Sequence, residues 1–397
     1  MTPAGPCYLS ALGLVNALGR GKREVVDGLL RGDTAGLVDE AGWLPGRTAR
    51  VGRVRGPLDP LPERFARDDS RNTRLALLAL AEIRAEVDRE ISRHGPHRIG
   101  VVLGTSTSGI EAAERAVAYH REHQVLPASF DYRQQEIGRL APFLADYLGL
   151  QGPALTVSTA CTSSGKALVT ARNLLRLDLC DAVITGGADS LCRLTLNGFA
   201  SLESVAATPC NPMSRNRAGI NVGEGAALFI LRKEPAALVL LGAGASSDAH
   251  HISSPDPSGA GAEAAMRAAL AEAGPDAAVG YLNLHATATP KNDEMESRAT
   301  DAVFPAGIAC SGTKPLTGHL LGAAAATELA FCWLLAQEAW NPSGLLPPHR
   351  WDGEADRDLP VLDLVTDGTS FRGSRTCMSN AFAFGGNNLS LILGPTR

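Results

Sequence analysis

Cys161 lies in LTVSTACTSSGK (155–166), where an apolar, β-branched run ends in small residues and a helical pattern begins. A strand handing over to a helix there places the thiol near a helix N-terminus. Unpaired N–H groups and the positive end of the dipole favour its thiolate, the nucleophilic form. Three later stretches put polar residues at the ends of apolar strands, where loops of α/β proteins build their sites. LNLHATATP carries His285, Thr287 and Thr289; SGTKPLTGHLLGAA carries Lys314 and His319 ahead of a helix with Glu328; SNAFAFGGNNLS carries Phe382 and Phe384 before paired glycines. Taken singly, each has a plain structural reading: a small buried thiol, a satisfied histidine, an ion pair, a turn.

The elements that must position these residues alternate along the whole chain. A strand at 7–19 turns through glycines into a helix, and residues 41–70, rich in Pro, Gly and Arg, read as surface loops. One helix is predicted over 72–93, then the buried strand of RIGVVLGTSTSG. Helical segments broken by Pro127 and Pro142 precede the Cys161 strand, and DAVITGGADS is another buried strand ending in glycines. FILRKE and ALVLLGAGASS form two strands around a short connection. The second half repeats helix, strand, long helix and a final pair of strands. Strands alternating with helices imply α/β layers with buried sheets. The two halves, 1–235 with Cys161 and 236–397 with both histidines, share an order of elements, which permits a duplication.

With 397 residues, 45% of them hydrophobic and 20% charged, the chain reads as a globular protein with a substantial core. A net charge of −5 argues against nucleic-acid binding. No charged segment followed by a short apolar run opens the chain, and no apolar run reaches bilayer length, so a cytoplasmic location is expected. The eight cysteines are scattered, with no C-x-x-C pair or Cys/His cluster, which argues against disulfides and structural zinc.

In this order, STACTSS, LNLHATATP, GTKPLTGHLLGAA and SNAFAFGGNN resemble the active-site motifs of β-ketoacyl-acyl carrier protein synthases, the condensing enzymes of fatty-acid and polyketide synthesis. The similarity extends to YLSALGLVNALGRGK and NRAGINVGEGAALFIL and so covers nearly the whole chain. It implies a thiolase-like layered α-β-α-β-α fold with two similar halves, no metal and no cofactor. Cys161 matches the nucleophile that carries the acyl chain as a thioester. His285 and His319 match the histidines that bind the malonyl carbonyl and promote loss of carbon dioxide; Lys314 and Glu328 match the pair that braces the site. Phe384 matches a gating phenylalanine whose N–H, with that of Cys161, forms an oxyanion hole. Thr287, Thr289 and Phe382 fall among the substrate-binding residues, and Thr107 matches a position that lines the acyl tunnel. Such chemistry suits a thiol, which holds and releases acyl groups, and two imidazoles that donate hydrogen bonds to an enolate.

Against the usual HGTSTP and GFGGTN, this chain has Ala286 and Ala288, and Ala383 and Asn387. The lost glycine beside Phe384 is expected to stiffen that loop. The departures suggest a divergent branch, with aryl polyene or other polyketide assembly as a candidate pathway. The implied partners are acyl carrier protein and a second subunit, identical or related. Carrier proteins are acidic, so Arg215 and Arg217 are candidate docking cations, although Asn211 replaces the family's arginine in that loop. Two other functions compete. A chain-length-factor-like partner subunit would lack the nucleophile, and a cysteine hydrolase leaves His319, Lys314 and the gate unexplained.

Overall fold

The computed structural model describes residues 5–396. In the first half the main strands are β1 (Tyr8–Asn16), β2 (Ile99–Gly104), β3 (Ala154–Val157), β4 (Ala182–Asp189) and β5 (Gly225–Arg232). The second half has β6 (Leu238–Ser247), β7 (Val279–Leu284), β8 (Ala309–Gly312), β9 (Thr376–Ala383) and β10 (Asn387–Pro395). Across the sheet the first half runs β1-β5-β4-β2-β3 and the second β6-β10-β9-β7-β8. Each half therefore places its first, fifth, fourth, second and third strand side by side. In both, two antiparallel pairings are followed by two parallel ones. The halves meet where Tyr8 pairs with Val239, joining them in one twelve-stranded sheet whose continuous path has eleven strands.

Helices α1 (Arg71–Ala81) and α2 (Leu140–Leu148) cover the outer face of the first half. Helix α3 (Ser163–Arg176) packs on its inner face. Helices α4 (Ala260–Ala273) and α5 (Pro290–Val303) lie outside the second half, while α6 (Ala324–Ala336) meets α3 between the sheets. The layers are thus α-β-α-β-α, the thiolase-like arrangement. Each interior follows from its pattern. β4 reads AVITGGAD and is buried throughout, as a central strand covered on both faces must be. All thirteen residues of α6 are buried, which fits AAATELAFCWLLA having no polar stripe.

Two expectations need correction. The helix predicted over 72–93 is two helices, Arg71–Ala81 and Arg84–His94, separated at Glu82 and Ile83. Within 41–70, residues of Leu37–Leu44 and Arg47–Gly52 pair as an antiparallel hairpin and join Val222–Gly223 in a small three-stranded sheet. Its turn at Pro45 and Gly46 looked like a loop in a sequence whose strand alternation is interrupted by glycine and arginine. Among the described residues no helix is long and apolar enough to cross a membrane.

Candidate active site

β3 ends at Val157, and the chain reaches Cys161 through Ala160, whose φ of 53° turns it sharply. The Ser163 hydroxyl stabilises this turn, donating to the Ala160 carbonyl at 2.5 Å and accepting from Thr159 N at 2.9 Å. The end of β2 packs directly on the start of α3. A Cβ at Gly104 would lie 2.2 Å from Ser164 N, so that strand end needs glycine. The Cys161 side chain is buried, with Sγ 3.0 Å from His319 Nε2. Burial pushes the thiol up to about 12, and Lys314 pulls it only partly back. The expectation of a thiolate favoured by the helix terminus is therefore corrected. α3 begins two residues later, at Ser163, and loss of solvent is the largest influence on the thiol. Cys161 rests as a thiol with an imidazole nitrogen as its neighbour.

Both histidines come from the second half. His285 follows β7, where Glu296 of α5 accepts from His285 N at 2.6 Å and from Ala286 N at 2.7 Å. Asp293 accepts from Ala288 N at 3.2 Å and Met213 N at 2.8 Å. These carboxylates hold Ala286 (φ 40°) and Ala288 (φ 62°) in the left-handed region despite their Cβ atoms. His319 is fixed by the first half: its N–H donates to Asn221 O at 2.7 Å and its carbonyl accepts from Gly223 N at 2.9 Å. Gly318, at φ 73°, leaves room for this contact, since a Cβ would fall 2.8 Å from Gly223 N. The two rings lie 5.3 Å apart at 83°.

Lys314 reaches behind His285, donating to its carbonyl, to Nδ1 at 3.3 Å and to Glu328 Oε1 at 2.6 Å. An N–H directed at Nδ1 places the His285 proton on Nε2. Burial, then Lys314, hold both histidines well below their ordinary range, so both are neutral. Burial raises Glu328, and Lys314 opposes the rise. The Cys161 sulfur and one nitrogen of each histidine all lie within 4.8 Å of one another, close enough to share a soft cation. The Lys314 ammonium beside His285 opposes that charge, and the set is better suited to hydrogen bonding.

These groups open into a cavity of about 460 Å³, whose lining includes Phe382, Phe384, Thr287 and Thr289. Phe382 meets the His285 ring edge-on at 6.1 Å, and Phe384 meets Phe199 at 5.5 Å. The two threonine hydroxyls are 2.9 Å apart. Ala383 introduces no left-handed strain, because Gly385 (φ 83°) and Gly386 (φ 72°) make the turn. The segment after β6 also borders the cavity and ties down this loop. Asp248 N donates to Gly386 O at 2.8 Å, Asp248 Oδ1 accepts from Asn388 Nδ2 at 2.6 Å, and Gly385 N donates to Ile252 O at 2.8 Å.

Three expected residues do not join the site. Thr107 is fully buried and does not line the cavity; its hydroxyl donates to Asp189 Oδ1 at 2.8 Å. Arg217 is half-buried against Asp356, and the exposed Arg215 pairs with Glu354 at 2.9 Å, so neither offers an unpaired charge to a carrier. Sequence reasoning missed Glu296, Asp293, Asp248 and Asp189. Their one signal was an acid at the end of an apolar strand or just inside a helix, where water would have to be excluded.

Comparison with known proteins places this geometry. The family models for the beta-ketoacyl synthase N-terminal and C-terminal domains match residues 22–237 and 237–345. Nodulation protein E of Rhizobium meliloti is 32% identical over 330 residues, 80% of this chain and 80% of that one. The 3-oxoacyl-[acyl-carrier-protein] synthase 2 of Staphylococcus aureus (strain COL) is 29% identical over 359 residues, 84% of each. One chain of a solved complex, a ketosynthase (ApeO) with its chain length factor (ApeC) from Xenorhabdus doucetiae, aligns at a TM-score of 0.94. It is 43% identical and covers 100% of this chain and 99% of that one.

Proposed function

We propose, from the premise that this chain belongs to the β-ketoacyl synthase family of acyltransferase-type condensing enzymes, that it is a catalytically active β-ketoacyl-acyl carrier protein synthase. It extends an acyl group held on Cys161 by decarboxylative Claisen condensation with malonyl-acyl carrier protein. The observation that carries the reading is the 3.0 Å contact between Cys161 Sγ and His319 Nε2, with His285 braced by Lys314 beside it.

Cys161 Sγ, with the His319 Nε2–H directed at it, attacks the thioester carbonyl of an acyl-carrier protein as the thiol proton passes to the departing carrier sulfur. The new C–S bond forms and the carrier thiol leaves with that proton. Malonyl-carrier protein then occupies the cavity. Its carboxylate bond breaks, carbon dioxide departs, and the electron pair remains as an enolate. The enolate oxygen accepts N–H bonds from His285 and His319, which burial keeps neutral. The enolate carbon attacks the Cys161 thioester, whose oxygen accepts from the Cys161 and Phe384 N–H groups. Collapse expels the sulfur as a thiolate, which takes one proton from solvent, and releases the β-ketoacyl thioester. Thr287, Thr289 and Phe382 line the path of the malonyl arm. Thr107 tunes the acyl end only through the turn it shares with Asp189. The catalytic chain divides at 235/236 into a half supplying the nucleophile and a half supplying the histidines.

We assign the protein to specialised polyketide assembly in the cytoplasm, aryl polyene synthesis being one such pathway, as the ketosynthase of a heterodimer with a chain-length-factor-like subunit. Support comes from the ketosynthase-chain length factor complex, 43% identical against 29% for the staphylococcal synthase. Cys161 favours the catalytic member of such a pair over its partner.

The test is incubation with labelled acyl- and malonyl-carrier proteins. The wild type should release carbon dioxide and form the β-ketoacyl product. Cys161→Ala should lose acyl transfer altogether. His319→Ala should still accept an acyl group, slowly, yet condense about 10²–10³-fold less. Normal condensation by Cys161→Ala would overturn the assignment; hydrolysis without condensation would favour a cysteine hydrolase.

A further inference from the structure

Lys291 lines the Cys161 cavity and is itself exposed, which places it at the mouth. It is the one Lys or Arg among the lining residues. Its Nζ donates to the Ser254 hydroxyl at 2.9 Å, and it has no carboxylate partner among the described ion pairs. A neutral hydroxyl orients an ammonium without cancelling its charge, and two N–H bonds remain to offer. Ser253 and His251 stand on the same segment as Ser254 and border the same opening. Neither of the two acids that line the cavity, Asp248 and Glu203, is paired with it among the described contacts. Asp248 is engaged by Asn388 Nδ2 at 2.6 Å and Asp256 N at 3.1 Å, and Glu203 makes no described bond with Lys291. The arginines otherwise suited to an acidic carrier are paired with Glu354 and Asp356. On a chain of net charge −5, this leaves a cation with no ion-pair partner, among the described residues, at the mouth of the cavity that holds the nucleophile.

We propose that Lys291, with Ser254 and His251, forms an anion site that binds the phosphate of the carrier's phosphopantetheine arm while the thioester lies at Cys161. This rests on the condensing-enzyme reading and adds a recognition element to it. A phosphate suits the position better than the malonyl carboxylate. The carboxylate must sit beside His285 and His319 at the buried end, and a lysine bonded to it there would oppose its loss as carbon dioxide. At the mouth, a charge-assisted N–H to phosphate oxygen bond holds the arm without touching the reacting atoms.

The test compares malonyl-4′-phosphopantetheine with malonyl-pantetheine, which differ only in the phosphate. The extender meets protein already acylated at Cys161 by an acyl-N-acetylcysteamine thioester, with any co-purifying partner subunit retained. The wild type should favour the phosphorylated extender by about tenfold in kcat/KM. Lys291→Gln should abolish that preference by raising KM for the phosphorylated compound alone, and Lys291→Arg should retain it. Protection of unacylated Cys161 from iodoacetamide by free phosphopantetheine, against pantetheine, should follow the same order and needs no turnover. Equal losses for both extenders in Lys291→Gln, or an unchanged preference, overturn the proposal. Wild-type protein that condenses neither extender overturns the functional reading itself, a result distinct from a lost phosphate preference.

Discussion

A histidine that donates a hydrogen bond to an enolate must keep its proton on the correct nitrogen without becoming cationic. His285 meets this through Lys314, whose N–H points at Nδ1 from 3.3 Å, and both rings are buried. Their folded pKa values lie well below the ordinary value, so each stays neutral as pH falls through 6.5 and protonates only far below it. In NMR spectra of ¹³C-labelled protein, the Cε1–H signals of His285 and His319 should not shift between about pH 5.5 and 8.5. A ring titrating near 6.5 would contradict the neutral-donor mechanism. These residues were legible because each sits in a short motif at a strand end, where its type alone suggests chemistry. The acids behind them were not. Glu296 is raised to about 7 by burial and works only by accepting from His285 N and Ala286 N, contacts that exist once α5 packs beside β7. Nothing in PKNDEMES distinguishes such an acid from a solvated one.

The two turns that carry Cys161 and His319 are joined by one side chain at the end of β4. Asp189 Oδ1 accepts from Thr105 Oγ1 at 2.6 Å, Ser106 N at 2.8 Å and Thr107 N at 2.8 Å, while Oδ2 accepts from Ala323 N at 3.1 Å. Ser106 Oγ in turn donates to the carbonyl of Ala160, the residue before Cys161, at 3.3 Å. Ala323 stands just before α6, in the segment that follows His319. The carboxylate thus holds the nucleophile's turn and the histidine's turn in register. Asp189→Asn would aim an N–H₂ at one of these donors and leave it unsatisfied, costing about 1–3 kcal/mol. The urea midpoint should fall accordingly, and kcat for condensation should drop severalfold with KM little changed. Lower stability with an intact kcat would reduce Asp189 to scaffold. At this scale the sequence revealed strand ends and helix starts well. It did not reveal which ends meet, nor that the 72–93 pattern divides at Glu82 and Ile83 or that 37–52 pairs as a hairpin, because tertiary contacts decide both.

On the scale of the whole molecule, the site is assembled across the boundary between two halves that share a strand order. That shared order was legible as a repeated alternation, whereas the packing partners of α6 were not, since it has no polar stripe to show which way it faces. With all thirteen of its residues buried, α6 needs α3 on one side and its own sheet on the other. Its Trp333 Nε1 donates to Leu9 O of β1 at 3.1 Å, and Lys166 of α3 donates to Asn387 Oδ1 at 3.0 Å. Arg172 of α3 pairs with Glu272 of α4 at 2.9 Å. Undocking the halves would expose an apolar helix and part Cys161 from His319 in the same step. Urea unfolding followed by fluorescence of Trp333 as the sole tryptophan should therefore coincide with the loss of condensation activity. Arg172→Ala should move both curves together to lower urea, by about 1 kcal/mol or somewhat more for a half-buried pair. Loss of condensation activity in a separate transition, well before the Trp333 signal changes, would mean that the two halves open while each stays folded.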